Sequence, residues 1–322
     1  MILYAEMLAA PMARPRVMSI GNTVLDVIGK TPDRMPRFGE LAAGRGPADM
    51  GVGGNGAIAA AAAAAMGADV QLASSVGDDA WGSWLRERLD GLGVDTGQLV
   101  TVGGEPTATT LSMVRSDGER ALLTHNGASD HHDLSLVDLS GLRPGDWVLV
   151  SSLFLVRGYS GEPLRELARA VGERGARMAM DLAWDGAGEW DPRMLALEEA
   201  DIVLGNADEV RAVGCTTELD EAVASMMDRG IGTLVVKMGG DGARLVTSRG
   251  EDEMIPAPPV EPVNATGTGD VFNAALLVAL SRGHDVQEAV AFACAAGAAR
   301  VAGGCHTFPT LDDVEALLER GT

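Results

Sequence analysis

Short apolar runs alternate with longer segments of helical periodicity along most of the chain. The apolar runs are residues 16–21, 69–77, 146–152, 176–182, 200–206 and 233–239. Their consecutive apolar centres are typical of strands buried on both faces of a parallel sheet. The segments between them that we predict as helices are residues 55–66, 78–92, 161–174, 193–199 and 219–229. This alternation predicts an α/β fold in which helices cover a mostly parallel central sheet.

Two segments interrupt the alternation. Residues 31–50 are rich in Pro, Gly and mixed charge, and residues 96–126 carry two β-like runs around the turn "RSDG". That pattern predicts a hairpin. We therefore expect a small β element, a lid, mounted on the core. The predicted division assigns residues 17–31, 51–95 and 127–318 to the core and residues 32–50 and 96–126 to the lid.

The charge balance excludes some partners. The 322 residues include 46 Asp plus Glu against 25 Lys plus Arg, a formal charge of -21. Nucleic acid and anionic membranes are therefore not expected as partners, because both carry the same sign of charge. No apolar segment reaches the length of a membrane span, and the N-terminal run lacks the basic lead of a signal peptide. We expect a cytoplasmic protein.

The stretch "NATGTGDVFNAALLVAL", residues 264–280, is the most informative. From Val271 to Leu280 only Asn273 is polar, so the predicted helix is buried on nearly all sides. The free amides of a buried helix N-terminus need a partner, and such a terminus favours an anion. Asp270 in the first turn is either a simple helix cap or a general base beside a bound anion. The residues alone leave both interpretations open.

The segment "NATGTGDVF" resembles the D-T-x-G-A-G-D-x-F signature of the ribokinase family of carbohydrate kinases (the PfkB family). The resemblance implies that Asp270 is the catalytic base. The implied anion hole for the transferred phosphoryl group consists of Gly267, Thr268 and Gly269. Asn264 and Ala265 depart from the signature, which has Asp and Thr at those places.

Two further segments resemble the sugar-binding parts of the family. "MGVGGNGAIAAAAAAAMGADVQLASSVGDDAWG", residues 50–82, is similar to the N-terminal signature, although Ile58 stands where a second Asn is usual. "GNTVLDVIG" follows the first strand, where ligands bind in parallel sheets. The residues that the resemblance assigns to the acceptor are Asn22, Asp26, Gly53, Gly54 and Asn55. A tight strand-to-helix turn and a loop-capping Asp are the alternatives that need no ligand.

The nucleotide-binding parts are implied by the second half of the chain. "NADE" matches the family pattern N-x-x-E, and "KMGGDG" resembles its K-x-G-x-x-G stretch. The implied nucleotide-binding residues are Asn206, Glu209, Lys237, Gly239 and Gly242, and Glu209 is expected to reach Mg²⁺ through water. A dipole-stabilised acid and a hairpin turn are the respective alternatives. Asn264 and Phe308 occupy places where many relatives offer a cation ligand, so we expect no strong potassium dependence.

The resemblance implies a ribokinase-like three-layer α/β/α core, with a mostly parallel central sheet and a small β lid. It also implies Mg²⁺- and ATP-dependent phosphorylation of a small sugar on a hydroxymethyl group, and a homodimer formed through the lid. A nucleoside kinase and a non-catalytic sugar-binding regulator are the alternatives. In "DLAWD", Ala183 and Asp185 replace an Asn and an Arg of fructokinases. A NAD-dependent dehydrogenase is disfavoured, because no G-x-G-x-x-G follows the first strand.

Overall fold

The computed structural model of the chain describes residues 14–32, 35–116, 120–156, 158–183, 188, 190–191, 195–304 and 306–320. Its strands are β1 (Arg16–Ile20), β2 (Val24–Lys30), β3 (Asp49–Gly53), β4 (Asp69–Gly77), β5 (Val94–Val102), β6 (Thr109–Val114), β7 (Arg120–His125), β8 (Trp147–Val150), β9 (Arg177–Asp181), β10 (Ile202–Asn206), β11 (Thr233–Lys237), β12 (Ala243–Thr247) and β13 (Asp252–Ile255). Its α-helices are α1 (Asn55–Ala65), α2 (Ala80–Gly91), α3 (Gly161–Glu173), α4 (Ala207–Gly214), α5 (Leu219–Met227), α6 (Thr268–Ser281), α7 (Val286–Ala302) and α8 (Leu311–Arg320). Within these described ranges, no helix is both long and apolar enough to cross a bilayer.

The large sheet confirms the predicted mostly parallel α/β fold. Its strand order is β13-β12-β11-β10-β9-β8-β1-β4-β5. Every pair from β11 to β5 is parallel, whereas β12 is antiparallel to both of its neighbours. Parallel neighbours need a crossover connection; α2 connects β4 to β5, for example, and α3 connects β8 to β9. The carboxyl ends of the parallel strands therefore lie along one edge, where ligands bind in such folds.

Each face of the large sheet buries its own hydrophobic core. In β1, for example, Val17 belongs to the core beneath α1, α6 and α7, while Met18 and Ile20 belong to the core beneath α3, α4 and α5. Side chains of a strand alternate between the two faces, so one apolar run supplies both cores. This packing explains why the strands are apolar at consecutive positions and why helices cover both sides.

Helix α1 approaches the sheet unusually closely. A Cβ atom added to Gly56 would lie 2.6 Å from the Cα atom of Gly21, so only glycine fits at this contact. The hydroxyl of Ser19 donates a hydrogen bond to the Gly56 carbonyl oxygen at 2.8 Å. The Ala side chains of α1 are small enough for the rest of the helix to stay equally close. This contact places the start of α1 beside the end of β1, where the candidate site lies.

A second, smaller sheet has the strand order β3-β2-β6-β7 and corrects the predicted segment boundaries. Strand β2, residues 24–30, was predicted in the core but belongs to this smaller sheet. Strand β5, whose residues 96–102 were predicted in the lid, pairs with β4 in the large sheet. The hydrophobic pattern identifies a strand but not its partners, and β2 pairs with β3 and with β6, which lies about 80 residues further along the chain. Residues 117 to 119 of the predicted hairpin turn lie outside the described residues.

The predicted helix at residues 193–199 is wrong for its described part. Residues 195–199 contain only a 3₁₀ turn, Leu197–Glu199. A segment of seven residues is too short to be a stable helix without packing along one side. The other predicted helices and strands are found within about three residues of their expected ends.

Candidate active site

Polar side chains converge where the parallel strands end. Asp181, Asn206 and Lys237 are the last residues of the adjacent strands β9, β10 and β11. The Lys237 Nζ atom lies 2.6 Å from Asp181 Oδ1 and donates a longer hydrogen bond, 3.3 Å, to Oδ1 of Asn273 in α6. One buried ammonium group therefore connects two strands of the sheet to α6. The predicted nucleotide residue Lys237 lies directly beside the predicted anion hole.

The start of α6 has the features of an anion site. Gly267 adopts a left-handed conformation with φ 72°, which glycine tolerates without strain. The amide of Thr268 makes only a long contact, 3.4 Å, to the Ala265 carbonyl oxygen. A Cβ atom on Gly269 would lie 3.4 Å from Lys237 Nζ, so this cation lies against the first turn of the helix. The amides, the helix dipole and the ammonium group all favour a negative charge here.

Asp270 is buried in that first turn among other carboxylates. Burial raises its pKa well above the usual value, and the nearby Asp181 raises it further. Lys237 lowers the pKa of Asp270, while Glu209 and Asp26 raise it. A carboxyl group with a raised pKa is a better proton acceptor than an ordinary aspartate. The geometry thus allows Asp270 to act as more than a helix cap.

Asp26 lies on the other side of the site, on β2 of the smaller sheet. Burial raises its pKa to about 6, and the positive charges of Arg120 and Arg300 lower it against that effect. Among the described residues, no group donates a hydrogen bond to its carboxylate. A Cβ atom on Gly53 would lie only 2.2 Å from the Asp26 carboxyl carbon, so Gly53 has to be glycine. The arrangement leaves a buried acceptor group ready for hydroxyl donors.

The Asn22 side chain supports the turn before α1. Its Oδ1 atom accepts hydrogen bonds from the backbone amide of Asn55, at 2.7 Å, and from the hydroxyl of Ser152, at 2.9 Å. Gly54 has φ 87°, and a Cβ there would lie 2.5 Å from the Asn22 carbonyl oxygen. The Oδ1 atom of Asn22 therefore holds the loop, and its Nδ2 group is left to contact a ligand. Both the tight-turn interpretation and the ligand interpretation are compatible with this geometry.

Asn206 and Glu209 form a capping box at the start of α4. Asn206 Oδ1 accepts from the Glu209 amide at 2.9 Å, and Glu209 Oε2 accepts from the Asn206 amide at 2.8 Å. Burial raises the pKa of Glu209; Lys237 lowers it and Asp181 raises it. Within the described parts of the chain, no group of three His, Cys, Asp or Glu residues could hold a metal ion directly. This donor set fits Mg²⁺ only through water and substrate phosphates, a common mode for this ion.

Gly239 and Gly242 lie in the turn between β11 and β12 and differ in role. Gly242 has φ 106°, and a Cβ there would lie 2.0 Å from the Ile255 carbonyl oxygen, so the turn itself requires glycine. Gly239 has φ 61° with open space around its Cβ position. The turn follows Lys237 at the carboxyl edge of the sheet. It therefore presents exposed backbone beside the anion site.

Sequence reasoning did not assign four charged or polar residues that lie at the site: Asp181, Asn273, Arg120 and Arg300. Two of them left a signal. Asp181 ends an apolar strand at the carboxyl edge, and Asn273 is the one polar residue in an apolar helix segment. Arg120 and Arg300 could not be assigned from the sequence, because their proximity to Asp26 depends on how the smaller sheet and α7 pack.

The parallel α/β sheet, the glycine-started helix with a buried acid in its first turn and the smaller sheet agree with a phosphotransferase. Residues 14–310 match the model of the pfkB family carbohydrate kinases, and the chain belongs to this family. It is therefore an ATP-dependent kinase whose acceptor is an alcohol group, of the branch that includes sugar and nucleoside kinases.

Characterised relatives cover most of the chain. It is 32% identical over 308 residues to the ATP-dependent ribose-1-phosphate kinase of Halopiger xanaduensis, covering 94% of this chain and 98% of the relative. It is 30% identical over 282 residues to the aminoimidazole riboside kinase of Salmonella typhimurium, covering 83% and 87%. The solved structure of Arabidopsis thaliana ribokinase complexed with ribose and ATP superposes with a TM-score of 0.80 at 26% identity, covering 96% and 99%.

Proposed function

We propose that the enzyme transfers the γ-phosphoryl group of Mg²⁺-ATP to a hydroxymethyl group of a small sugar. The observation that carries the proposal is the position of Asp270, buried in the first turn of α6 beside the open amides of that turn. A carboxylate next to an anion site has a chemical reason to be there if it removes a proton from the attacking hydroxyl.

The acceptor binds on the Asp26 side of the site. The buried carboxylate of Asp26 accepts hydrogen bonds from sugar hydroxyls, which compensate its charge where the described residues offer no donor. The backbone of Gly53 and Gly54, which packs against Asp26 and Asn22, borders the sugar, and Asn55 and the Nδ2 group of Asn22 supply further polar contacts. Binding here directs one hydroxymethyl group towards Asp270.

Proton removal and charge stabilisation occur at the start of α6. Asp270 accepts the hydroxyl proton as the new O–P bond forms and the bond to the ADP leaving group breaks. The amides of Gly267, Thr268 and Gly269 and the ammonium of Lys237 stabilise the charge on the transferring phosphoryl group. Glu209 and Asn206 would hold Mg²⁺ through water, and the ion would supply positive charge that neutralises the nucleotide phosphates. The turn at Gly239 and Gly242 borders the nucleotide.

The smaller sheet acts as the lid and as the dimer interface. Its inner face carries Asp26 and Arg120, and Arg120 Nη1 donates a 3.1 Å hydrogen bond to the Thr266 hydroxyl just before the anion site. Its outer face carries one apolar row across all four strands, in which consecutive members are register partners: Met50, Val27, Leu111 and Leu123. Met50, Leu111 and Leu123 are 51%, 43% and 63% exposed, whereas Val27 packs against the hydrophobic core. The three exposed side chains form an apolar surface that a second copy of the chain would cover.

A riboside is the second candidate acceptor. The aminoimidazole riboside kinase relative acts on a molecule that carries a base as well as a ribose, and that match is at 30% identity. Another relative is a ribose-1-phosphate kinase, so the acceptors tested should also include a phosphorylated sugar. All of these acceptors offer a hydroxymethyl group to the same proton acceptor, Asp270.

The test is an ADP-release screen with Mg²⁺-ATP and a panel of acceptors. The panel comprises ribose, fructose, 2-keto-3-deoxygluconate, ribose 1-phosphate, adenosine, inosine and aminoimidazole riboside. We expect one class to give acceptor-dependent turnover that disappears in Asp270→Asn, with the phosphate on the hydroxymethyl carbon by NMR. Acceptor-dependent turnover that survives in the variant would contradict the base assignment, and phosphorylation of a ring hydroxyl would contradict the proposed acceptor orientation.

A further inference from the structure

Arg300 occupies an unexpected place near the end of α7. It is 3% exposed and is the one polar residue of the helix between Ala289 and Ala302. Its Nε atom donates to the Thr266 carbonyl oxygen at 3.1 Å, and its Nη1 atom donates to the carbonyl oxygens of Gly304, at 3.1 Å, and Thr307. The guanidinium carbon also lies 5.7 Å from the centre of the Phe308 ring. One buried cation thus holds two separate loops together.

The loop on one side leads directly into the anion site. The amides of Val263 and Asn264 both donate to the Val301 carbonyl oxygen, at 2.9 and 3.0 Å, and the Thr266 amide donates to Asn264 Oδ1 at 2.8 Å. Thr266 immediately precedes Gly267, whose left-handed conformation begins α6. The position of the first amides of α6 therefore depends on where Arg300 holds the Thr266 carbonyl.

The carbonyl oxygens of Thr266, Gly304 and Thr307 gather around one guanidinium group, and oxygens gathered in this way repel each other unless a positive group lies among them. A bound metal cation is one solution, because carbonyl oxygens are good ligands for hard cations. In this chain the guanidinium group already lies there, and it supplies both the charge and directed N–H donors. The residues present therefore do not fit a monovalent cation at this position, because Arg300 occupies the place that such an ion would take.

We propose that Arg300 is a positioning residue that acts as a covalently attached replacement for a monovalent activating cation. It holds the Thr266 carbonyl so that the amides at the start of α6 face the transferring phosphoryl group. Its fixed charge is available without any ion from solution, so the enzyme is independent of potassium. The proposal rests on the phosphotransfer assigned to this site, but its structural part can be measured without turnover.

The first arm of the test uses no substrate. The thermal midpoint of the wild-type protein is compared in potassium chloride and in tetramethylammonium chloride of equal ionic strength, and we expect the same value in both. Arg300→Ala removes the side chain and leaves three carbonyls around an emptied space. We expect potassium, ammonium or guanidinium ions to raise the thermal midpoint of this variant, and tetramethylammonium to leave it unchanged.

The second arm measures turnover with the acceptor found in the screen. We expect wild-type kcat to be unchanged by potassium. Arg300→Ala should lose kcat on the order of 10²-fold, as expected for displaced catalytic groups, with partial recovery on adding guanidinium or potassium. Arg300→Lys keeps a point charge but has fewer directed donors, so its kcat should lie between those of the wild type and Arg300→Ala. Arg282→Ala is the matched control, because Arg282 makes one long hydrogen bond to the Met66 carbonyl away from the site.

Two results would overturn the proposal. One is a wild-type midpoint or kcat that rises specifically with potassium, since that would mean an ion binds in addition to Arg300. The other is a folded Arg300→Ala variant that no cation stabilises or reactivates, since Arg300 would then only fill space. If Arg300→Ala does not fold, the wild-type thermal midpoints in the two salts and the kcat of Arg300→Lys still test the proposal. An absence of any acceptor would contradict the proposed function alone and leave the thermal arm intact.

Discussion

Replacing Asp26 with Asn should stabilise the ligand-free protein while impairing its activity. Burial raises the pKa of Asp26 from the ordinary 3.8 to about 6, so its ionised form is less stable in the folded protein than in the unfolded chain. At about 1.4 kcal/mol per pKa unit, the ionised carboxylate costs about 3 kcal/mol at pH values above both pKa values. Asn is nearly isosteric and neutral, so the variant escapes this cost.

The sign of the pH dependence follows from the raised pKa. Stability attributable to Asp26 is fully present below about pH 3.8 and is lost as the pH rises through about 6. The gain in Asp26→Asn should therefore be about 2 kcal/mol smaller at pH 4.5 than at pH 8, where it approaches about 1–3 kcal/mol, the lower figure allowing for imperfect hydrogen bonding of the new amide. In the proposed function, sugar hydroxyls would compensate this cost on binding, which gives a reason for retaining the group.

The assay is urea unfolding of the ligand-free protein at pH 4.5 and pH 8, with kcat/KM for the acceptor measured in parallel. Asp208→Asn is the matched control, because the Asp208 carboxylate is 75% exposed in a surface ion pair with Arg211. Its free energy of unfolding should change by less than about 0.5 kcal/mol. If Asp26→Asn were less stable than the wild type at pH 8, the carboxylate would be a structural partner of the nearby arginines, and the argument for a substrate-binding role would fail.

Three further predictions concern the base, the helix start and the outer face of the smaller sheet. Asp270→Asn should lower kcat by about 10²–10⁴-fold with unchanged far-UV circular dichroism, and wild-type kcat in the variant would refute the assignment. Gly267→Ala should lose about 1–2 kcal/mol from the left-handed backbone and most of its turnover in the ADP assay. Gly230→Ala is the matched control, because Gly230 has φ 95° with open space around its Cβ position, and it should lose stability but keep its turnover. If both variants lost the same fraction of kcat, the result would argue against an anion hole at Gly267. Leu123→Glu should convert the proposed dimer to a monomer by light scattering, and a wild-type monomer at micromolar concentration would dismiss that interface.

The pattern of apolar and polar positions was sufficient for most of the large sheet. Its buried strands are apolar at consecutive positions, and only strands covered on both faces require that. The pattern was insufficient for β2 and β5, which the predicted boundaries placed on the wrong side of the division between sheets. Each has the composition of a strand, but the pairing of β2 with β6 is a long-range contact that leaves no local trace.

The candidate site shows a similar division. Asp270 and the glycines before it were recognisable because a buried helix start with free amides is unusual in any sequence. Asp181 and Asn273 are recognisable in hindsight, since each is a polar residue inside an apolar element. The roles of Gly53 and Gly242 could not be read in this way, because what excludes a side chain there is the Asp26 carboxylate in one case and the Ile255 carbonyl in the other.

The sequence by itself determined most strands and helices of the large sheet, the fold class and the glycine-started helix that carries Asp270, because periodicity, turn residues and helix-start chemistry are local. The tertiary structure alone decided which carboxylates face one another, why Lys237 meets both Asp181 and Asn273, and that Arg300 reaches the carbonyl of Thr266 across 34 residues of chain. Those contacts depend on how distant elements pack, and their energies depend on burial, which a single side chain acquires only when the whole chain has folded.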